Sequence, residues 1–366
     1  MIDVPENKIA FISHPKASMH QMPFPKPHLE SFENPLRYQM AERYLEKKGI
    51  LNQTVRLRAP RANTKDILLV HSPYLVDSVE ILSNIGTGQL GESAYASPGL
   101  FQTALLAVGG AMKGTDVVLS GNVKHAFVFM RPPGHHATTS DPAGLCYFNN
   151  VAIATKHVMQ NERVHRVSIV DFDDHHGNGT SEIFYTNPNV QYISFHEYDY
   201  ENFGLGHYTE VGYGEGKGTN INIPLVETSP DTSYKTAIKR VLEPALNAFK
   251  PQLIMVSAGY DAHYADPVGN MDVDSRTYWE FGDSIRRMVQ SLNALGSVWV
   301  LEGGYNPFAL GPSIEASLDG LAGRQRPALE DQVERESNPL ILESNDEIID
   351  KVLETVTPYW AKKKTS

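Results

Sequence analysis

Residues 167–179 read VSIVDFDDHHGNG, in which a short apolar run leads directly into a cluster of acids and imidazoles. A continuously apolar run is typical of a strand that is covered on both faces of a parallel sheet. Three more apolar runs end in the same way: FVFM before RPPGHH at 131–136, LIMVS before AGYDAHYADP at 258–267, and VWVL before EGGYN at 302–306. Because ligands bind at the carboxyl ends of strands in open parallel sheets, we predict that these four segments form one shared site.

The rest of the chain alternates β-rich runs with segments of helical spacing, which predicts an α/β fold. We expect a single domain over residues 1–366, with a central, mostly parallel sheet flanked by helices, a motif-bearing core at about 9–320, and a C-terminal surface segment and helix at 321–366. The predicted strands are Lys8–Ser13, Ala126–Met130, Val167–Asp171, Val190–His196, Asn220–Leu225, Leu253–Ser257 and Val298–Leu301. The predicted helices are Pro35–Lys48, Pro73–Ser83, Pro98–Met112, Phe148–Gln160, Thr232–Phe249, Ser275–Leu295 and Asp346–Val356, the last ending before Pro358.

Composition and charge narrow the class of protein. With 41% apolar and 20% charged residues the chain is predicted to be globular. Its single cysteine, Cys146, allows neither an internal disulfide nor a thiolate cluster, so any metal must be held by His, Asp or Glu. The formal charge of -11 at pH 7 argues against nucleic acid as a partner. We find neither a long apolar run nor a secretory leader, and therefore predict a soluble, cytoplasmic protein without a membrane partner.

The acid and imidazole cluster after the predicted strand has the composition of a metal site. Strand alternation places Asp171, Asp173 and His175 on one side and Asp174 on the other. Carboxylate oxygens with an imidazole nitrogen suit Zn²⁺, Fe²⁺ or Mn²⁺. The alternative is a polar turn in which an Asp caps the next helix.

The other three segments offer complementary chemistry. The adjacent imidazoles of His135 and His136 suit general acid and base catalysis near neutral pH, although pairs of surface histidines are common. The segment at 259–267 offers a distant third ligand, Asp266, which could instead cap a helix. Tyr305, after a pair of glycines, could polarise a carbonyl group or simply pack.

Taken together, five ordered motifs resemble the histone deacetylase superfamily of zinc-dependent deacylases related to arginase. The motifs are RPPGHH (131–136), GLCYFNN (144–150), DFDDHHGNG (171–179), DAHYADPVG (261–269) and LEGGY (301–305). The Asn of HHGN and the Glu of LEGGY look more like its class II branch, which includes bacterial and archaeal amidohydrolases. The similarity runs from about Ile9 to Gly320.

The resemblance implies a metal centre. Asp173, His175 and Asp266 would bind Zn²⁺ and leave room for water and the substrate carbonyl. Family members also hold K⁺ near the zinc, and the matching positions here are Asp171, Asp173, His175, Ser194 and Phe195.

The resemblance also implies catalytic roles. His136 would act as general base towards water and then as general acid towards the leaving amine, with electrostatic help from His135. Asp171 and Asn178 would orient the two imidazoles. Tyr305 would donate a hydrogen bond to the carbonyl oxygen as it becomes an oxyanion.

The predicted substrate channel departs from the family pattern. Leu145 follows Gly144 where the family usually has a Phe that forms one wall of an aromatic slot, and Phe203 is predicted to form the opposite wall. Glu92 lies where relatives place a rim acid that binds substrate amides, although it could be an ordinary solvated residue. Val268 stands where a carboxylate would select cationic amines, which argues against a dedicated polyamine enzyme.

A second departure is Asp174, since the family commonly has an apolar residue between these ligands. By alternation this side chain points away from the metal. We therefore expect it to form a structural hydrogen bond rather than to act as a ligand.

The predicted function is zinc-dependent hydrolysis of an N-acyl amide, with an acylated lysine side chain or a small acylated amine as the substrate. The alternatives are an acetylpolyamine amidohydrolase, a zinc-binding scaffold without activity, and an arginase-like manganese hydrolase. A homo-oligomer is possible.

Overall fold

The computed structural model describes residues 8–21, 29–202 and 204–362. Its strands are β1 (Ile9–Ser13), β2 (Val55–Arg58), β3 (Gly88–Gly91), β4 (Ala94–Ala96), β5 (His125–Phe129), β6 (Val167–Asp171), β7 (Val190–Glu197), β8 (Asn220–Leu225), β9 (Leu253–Ala258) and β10 (Ser297–Leu301). Eight of them form one sheet in the order β2-β1-β5-β10-β9-β6-β7-β8, and all of its pairings are parallel. β3 and β4 form a separate antiparallel hairpin. The predicted single-domain α/β fold with a mostly parallel sheet is confirmed.

Helices cover the sheet. They are α1 (Pro35–Lys47), α2 (Thr64–Ile67), α3 (Pro73–Ile85), α4 (Leu100–Leu119), α5 (Asn150–Val158), α6 (Asn178–Phe184), α7 (Asp231–Ala237), α8 (Glu243–Phe249), α9 (Ser275–Ser291), α10 (Leu310–Leu321) and α11 (Pro339–Lys362). A π-helical turn at Ile238–Leu242 joins α7 to α8. Every residue of β5, β6, β9 and β10 is buried, which explains their unbroken apolar runs. None of the helices in the described ranges is long and apolar enough to cross a membrane.

The sheet order brings the four chemically dense segments together. The strands that precede them are β5, β10, β9 and β6, which are consecutive neighbours in the sheet. Their ends are in register, since Asp171 at the end of β6 pairs with Ser257 of β9, and Leu301 at the end of β10 pairs with Ala258 of β9. All four segments therefore leave the same edge of the sheet.

Several elements differ from the sequence prediction. The helices α2, α6 and α10 were not predicted, and α4 ends at Leu119 rather than at the predicted Met112. β2 and the β3–β4 hairpin were not predicted, because they are short and only partly buried. The predicted end of the last helix before Pro358 is wrong, since α11 continues through this proline to Lys362. Tyr359 and Trp360 pack against the main core, and this contact offsets the hydrogen bond that a proline removes from a helix.

Candidate active site

Three side chains at the carboxyl edge of the sheet form a group that fits a metal ion. Asp173 and His175 follow β6, and Asp261 follows the neighbouring strand β9. Their ligand atoms all lie within 4.8 Å of one another. The Nδ1 atom of His175 is 3.4 Å from Asp173 Oδ1 and 3.1 Å from Asp261 Oδ2. Two carboxylates and one imidazole match the three protein ligands of a catalytic zinc site that keeps an open position.

The prediction of Asp266 as the third ligand is corrected to Asp261. Asp266 lies beyond a turn in which its own N–H donates to the His263 carbonyl, so its side chain is carried past the strand end. Its Oδ2 atom accepts hydrogen bonds from the backbone N–H groups of Tyr305 at 2.6 Å and Asn306 at 3.0 Å. Asp266 therefore holds the backbone that presents Tyr305, whereas Asp261 stays level with the ligands that follow β6.

The electrostatics of the group also fit a cation. Burial, followed by the nearby carboxylate of Asp173, raises the pKa of Asp261 well above its usual value. Burial alone would raise the pKa of Asp173 as well, but His135 and His175 hold it below the usual range. Two buried carboxylates this close repel each other when both are ionised, and a bound divalent cation removes that repulsion.

The two imidazoles that follow β5 are held in different protonation states. Burial lowers the pKa of His135, but the carboxylates of Asp173 and Asp171 outweigh it and raise the pKa to about 10. Burial and the charges of His135 and His175 lower the pKa of His136 to about 3. His135 Nδ1 lies 3.1 Å from Asp171 Oδ2. The pair thus consists of a charged imidazole beside a neutral one.

Asn178 sets the tautomer of the neutral imidazole. Its Oδ1 atom lies 2.7 Å from His136 Nδ1 and accepts the hydrogen bond, so the proton of the ring is on Nδ1. The other ring nitrogen, Nε2, is then left with a lone pair that can take up a proton. Asn178 is the first residue of α6 and follows the DFDDHH segment after one glycine, Gly177.

Glu302 supports the loop of the two imidazoles, a role that sequence reasoning missed. Its Oε2 atom accepts hydrogen bonds from the N–H groups of Gly134 at 2.6 Å and His135 at 3.2 Å, and its Oε1 atom accepts one from Ser257 Oγ at 3.2 Å. Burial raises the pKa of Glu302 to about 7. The sequence does contain a signal for this role. Glu302 directly follows the apolar run VWVL, and a carboxylate buried at that point must accept hydrogen bonds from buried donors.

A cavity of about 170 Å³ joins the metal group to the outside. Its lining residues are Ser93, His136, Gly144, Leu145, His175, Val268 and Tyr305. Burial raises the pKa of Tyr305 well above its usual value, so its phenol is neutral and can donate a hydrogen bond. The preceding glycines are required here, because a Cβ atom at Gly303 would lie 2.3 Å from an Asp261 oxygen.

The predicted channel residues occupy one wall of this cavity. Gly144 has φ of +51°, and a Cβ atom there would lie 2.4 Å from Cδ2 of His136. Leu145 and Tyr305 form a small apolar cluster against which Val268 and Tyr95 pack, so this wall of the cavity is largely apolar. The β3–β4 hairpin borders it, since the carbonyls of Glu92 and Ser93 accept hydrogen bonds from the N–H groups of Gly144 and Leu145.

Two further channel predictions have different outcomes. The side chain of Glu92 is exposed, next to this wall. Phe203, the predicted opposite wall, lies outside the described residues.

The residues predicted to hold K⁺ lie on two adjacent strands. Asp171 ends β6 and pairs in register with Ser194 of β7. Ser194 and Phe195 are both fully buried, and Ser194 Oγ lies 2.8 Å from His196 Nδ1. Asp173 and His175 continue from the end of β6.

Comparison with known proteins gives the same kind of fold and site. A family model described as the histone deacetylase domain matches residues 31–321. A histone deacetylase-like amidohydrolase of Pseudomonas aeruginosa is 33% identical over 82% of this chain and 80% of its own length. Chloroplastic histone deacetylase 14 of Arabidopsis thaliana is 38% identical over 64% of this chain, and the match spans 57% of the plant protein. The crystal structure of the HDA15 HD domain superposes with a TM-score of 0.87 at 28% identity, covering 98% of this chain and 96% of that domain.

Proposed function

This chain belongs to the histone deacetylase family, and from that premise we propose that it is a zinc-dependent amidohydrolase that removes acyl groups from acylated lysine side chains or related small amides. One observation carries the proposal. The neutral His136 and the phenol of Tyr305 line one cavity together with His175, a member of the Asp173–His175–Asp261 group, and Leu145 and Val268 give this cavity an apolar wall.

We assign Zn²⁺ to Asp173, His175 and Asp261. The family is generally metal-dependent, and the charge and size of this donor set support the assignment. When bound, zinc would polarise the amide carbonyl and lower the pKa of a water molecule. K⁺ is proposed at the adjoining ends of β6 and β7 on the basis of the family resemblance.

His136 is the proposed proton carrier. Its Nε2 lone pair is available at neutral pH because Nδ1 donates to Asn178 and because the pKa of the ring is about 3. It takes a proton from the attacking water and then delivers it to the amine nitrogen as the C–N bond breaks. His135, whose pKa is raised to about 10 in the metal-free protein, is the proposed source of electrostatic help to His136.

Tyr305 is the proposed oxyanion donor. Its phenol is neutral and lines the cavity, and its backbone is fixed by Asp266. A well-placed donor of this kind contributes about 3 kcal/mol to transition-state stabilisation.

The cavity favours an uncharged linker over a polyamine chain. Among the described residues, those that line the cavity include no carboxylate, and Val268 and Leu145 provide aliphatic surface where an ammonium group would need an anion. A cytoplasmic location and a homo-oligomeric state remain predictions.

A substrate panel tests the proposal. We expect the zinc-loaded protein to hydrolyse an acetyl-lysine peptide with a kcat/KM at least ten-fold higher than that for N-acetylputrescine. His136→Ala is the control and should retain zinc while losing most turnover. A preference for the acetylated polyamine would support the alternative substrate class, and zinc-loaded protein that cleaves neither amide would contradict the proposal.

A further inference from the structure

Asp174 lies between two proposed metal ligands, yet its side chain faces a different part of the molecule. It is buried, and its Oδ2 atom accepts a hydrogen bond from the backbone N–H of Asn270 at 3.1 Å. Its Oδ1 atom has no hydrogen-bond partner among the described residues. Burying a carboxylate costs free energy unless hydrogen bonds compensate for the lost hydration, so the hydrogen bond between the Asp174 side chain and the Asn270 N–H points to a structural role for this side chain.

The backbone of Asp174 also belongs to the metal site. Its N–H donates to Asp261 Oδ1 at 2.9 Å, and its carbonyl accepts from the N–H of Glu197 at 2.8 Å. The backbone of Asp174 is therefore held by β6, by β7 and by the proposed ligand Asp261. Its side chain can serve as a fixed hydrogen-bond acceptor for a neighbouring loop.

The attached loop, residues 266–270, carries one wall of the cavity. At its start the Oδ1 atom of Asp266 accepts from the N–H of Val268 at 3.0 Å, and at its end Asn270 is bound to Asp174. Gly269 passes so close that a Cβ atom there would lie 2.7 Å from Asp174 Oδ2. Between these two anchors, Val268 packs against Leu145 and Tyr305.

We propose that Asp174 is a positioning residue that anchors the 266–270 loop to the metal-binding strand and thereby fixes Val268 as a wall of the substrate channel. Its kinetic consequence rests on the proposed function, whereas the anchoring itself can be measured in inactive protein. The two departures from the family pattern, Leu145 and Asp174, are then linked: Leu145 replaces an aromatic wall, and Asp174 holds the Val268 that packs against this smaller side chain.

Asp174→Val is the principal test. The family resemblance places an apolar residue at this position, so the substitution is compatible with the fold. Val268 lines the cavity that would hold the substrate linker in the ground state and in the transition state alike. Loosening it should therefore raise KM for an acetyl-lysine peptide about five- to ten-fold and change kcat less than three-fold. Zinc content should be unchanged. Asp174→Asn keeps an oxygen acceptor for the Asn270 N–H and should restore KM to within two-fold of the parent value.

A double-mutant cycle separates positioning from general destabilisation. If Asp174 acts through Val268, then Val268→Ala should raise KM in the parent protein but have almost no further effect in Asp174→Val. Multiplicative effects of the two substitutions would overturn the proposal. Asn270→Ala is the matched control. It removes the 3.0 Å side-chain hydrogen bond from Asn270 to Glu197 but keeps the backbone N–H that donates to Asp174.

Hydrogen exchange provides the readout that does not depend on activity. The N–H of Asn270 should exchange at least ten-fold faster in Asp174→Val than in the parent protein or in Asp174→Asn, while amides of β6 keep their protection. Unchanged exchange at residue 270 would refute the anchor. Faster exchange in a protein that cleaves no amide would support the anchor and contradict the proposed function.

Discussion

The amide oxygen of Asn178 lies 2.7 Å from Nδ1 of His136, and this contact places the lone pair of the imidazole on the nitrogen that can serve as a base. In the metal-free protein, burial and then the charges of His135 and His175 lower the pKa of this ring to about 3 and keep it neutral. The orientation of the His136 ring is thus set by the amide of Asn178, whereas its protonation state is set by burial and by neighbouring charges.

Replacing Asn178 with Asp should move the pH dependence of turnover. A carboxylate beside Nδ1 stabilises the imidazolium and raises the pKa of His136 from about 3 towards neutrality. Because a protonated ring cannot act as a base, activity should be lost below the raised pKa, and the acidic limb of kcat/KM should shift to higher pH. The pH profiles of both proteins give the measurement. An unchanged acidic limb would argue against His136 as the base, and Asn178→Ala controls for loss of the contact without added charge.

Tyr305→Phe should lower kcat about 100-fold with little change in KM. The phenol donates only to the oxygen that becomes negative in the transition state, so its removal affects the chemical step more than substrate binding. Zinc content should equal that of the parent, because the hydroxyl is not among the proposed ligands. A variant with parental kcat would remove Tyr305 from the mechanism.

Glu302 should make the metal-free protein less stable as the pH rises. Burial raises its pKa to about 7 in the folded state, whereas in the unfolded chain the pKa is near 4.5. Between these values the folded state binds more protons than the unfolded state, so stability falls with increasing pH. Glu302→Gln should flatten the change in Tm between pH 5 and pH 8, as measured by thermal unfolding of the apoprotein. Equal slopes for the two proteins would contradict the assignment.

The central strands and the shared site could be predicted from the sequence because burial on both faces imposes continuous apolar runs. Four such runs ended in polar motifs, and the parallel sheet then had to bring those motifs to one edge. β2 and the β3–β4 hairpin gave no such signal. β2 alternates between half-buried and exposed residues over four residues, and the hairpin that borders the channel consists of strands of only four and three residues, β3 and β4.

Contacts between distant segments could not be predicted from local patterns. The helix predicted to end at Met112 continues to Leu119 as α4, and within it Gly109 is required because a Cβ atom there would lie 2.0 Å from the carbonyl oxygen of the distant Pro60. Glu302 binds Gly134 and His135 across two strands, and nothing near Glu302 in the sequence indicates these partners.

The choice between Asp261 and Asp266 shows the same limit and leads to a direct test. The two carboxylates are five residues apart in one motif, and the family resemblance implied Asp266, whereas the structure groups Asp261 with Asp173 and His175. Asp261→Ala should therefore reduce zinc content to a small fraction of the parent value and abolish turnover. Asp266→Ala should retain zinc but lower kcat at least ten-fold, because the N–H groups of Tyr305 and Asn306 lose their acceptor and the phenol is no longer held in place. Metal analysis of the two purified variants beside kcat measurements distinguishes these roles. Zinc loss in Asp266→Ala together with zinc retention in Asp261→Ala would reverse the assignment, because only a side chain that binds the metal directly removes most of its affinity when truncated.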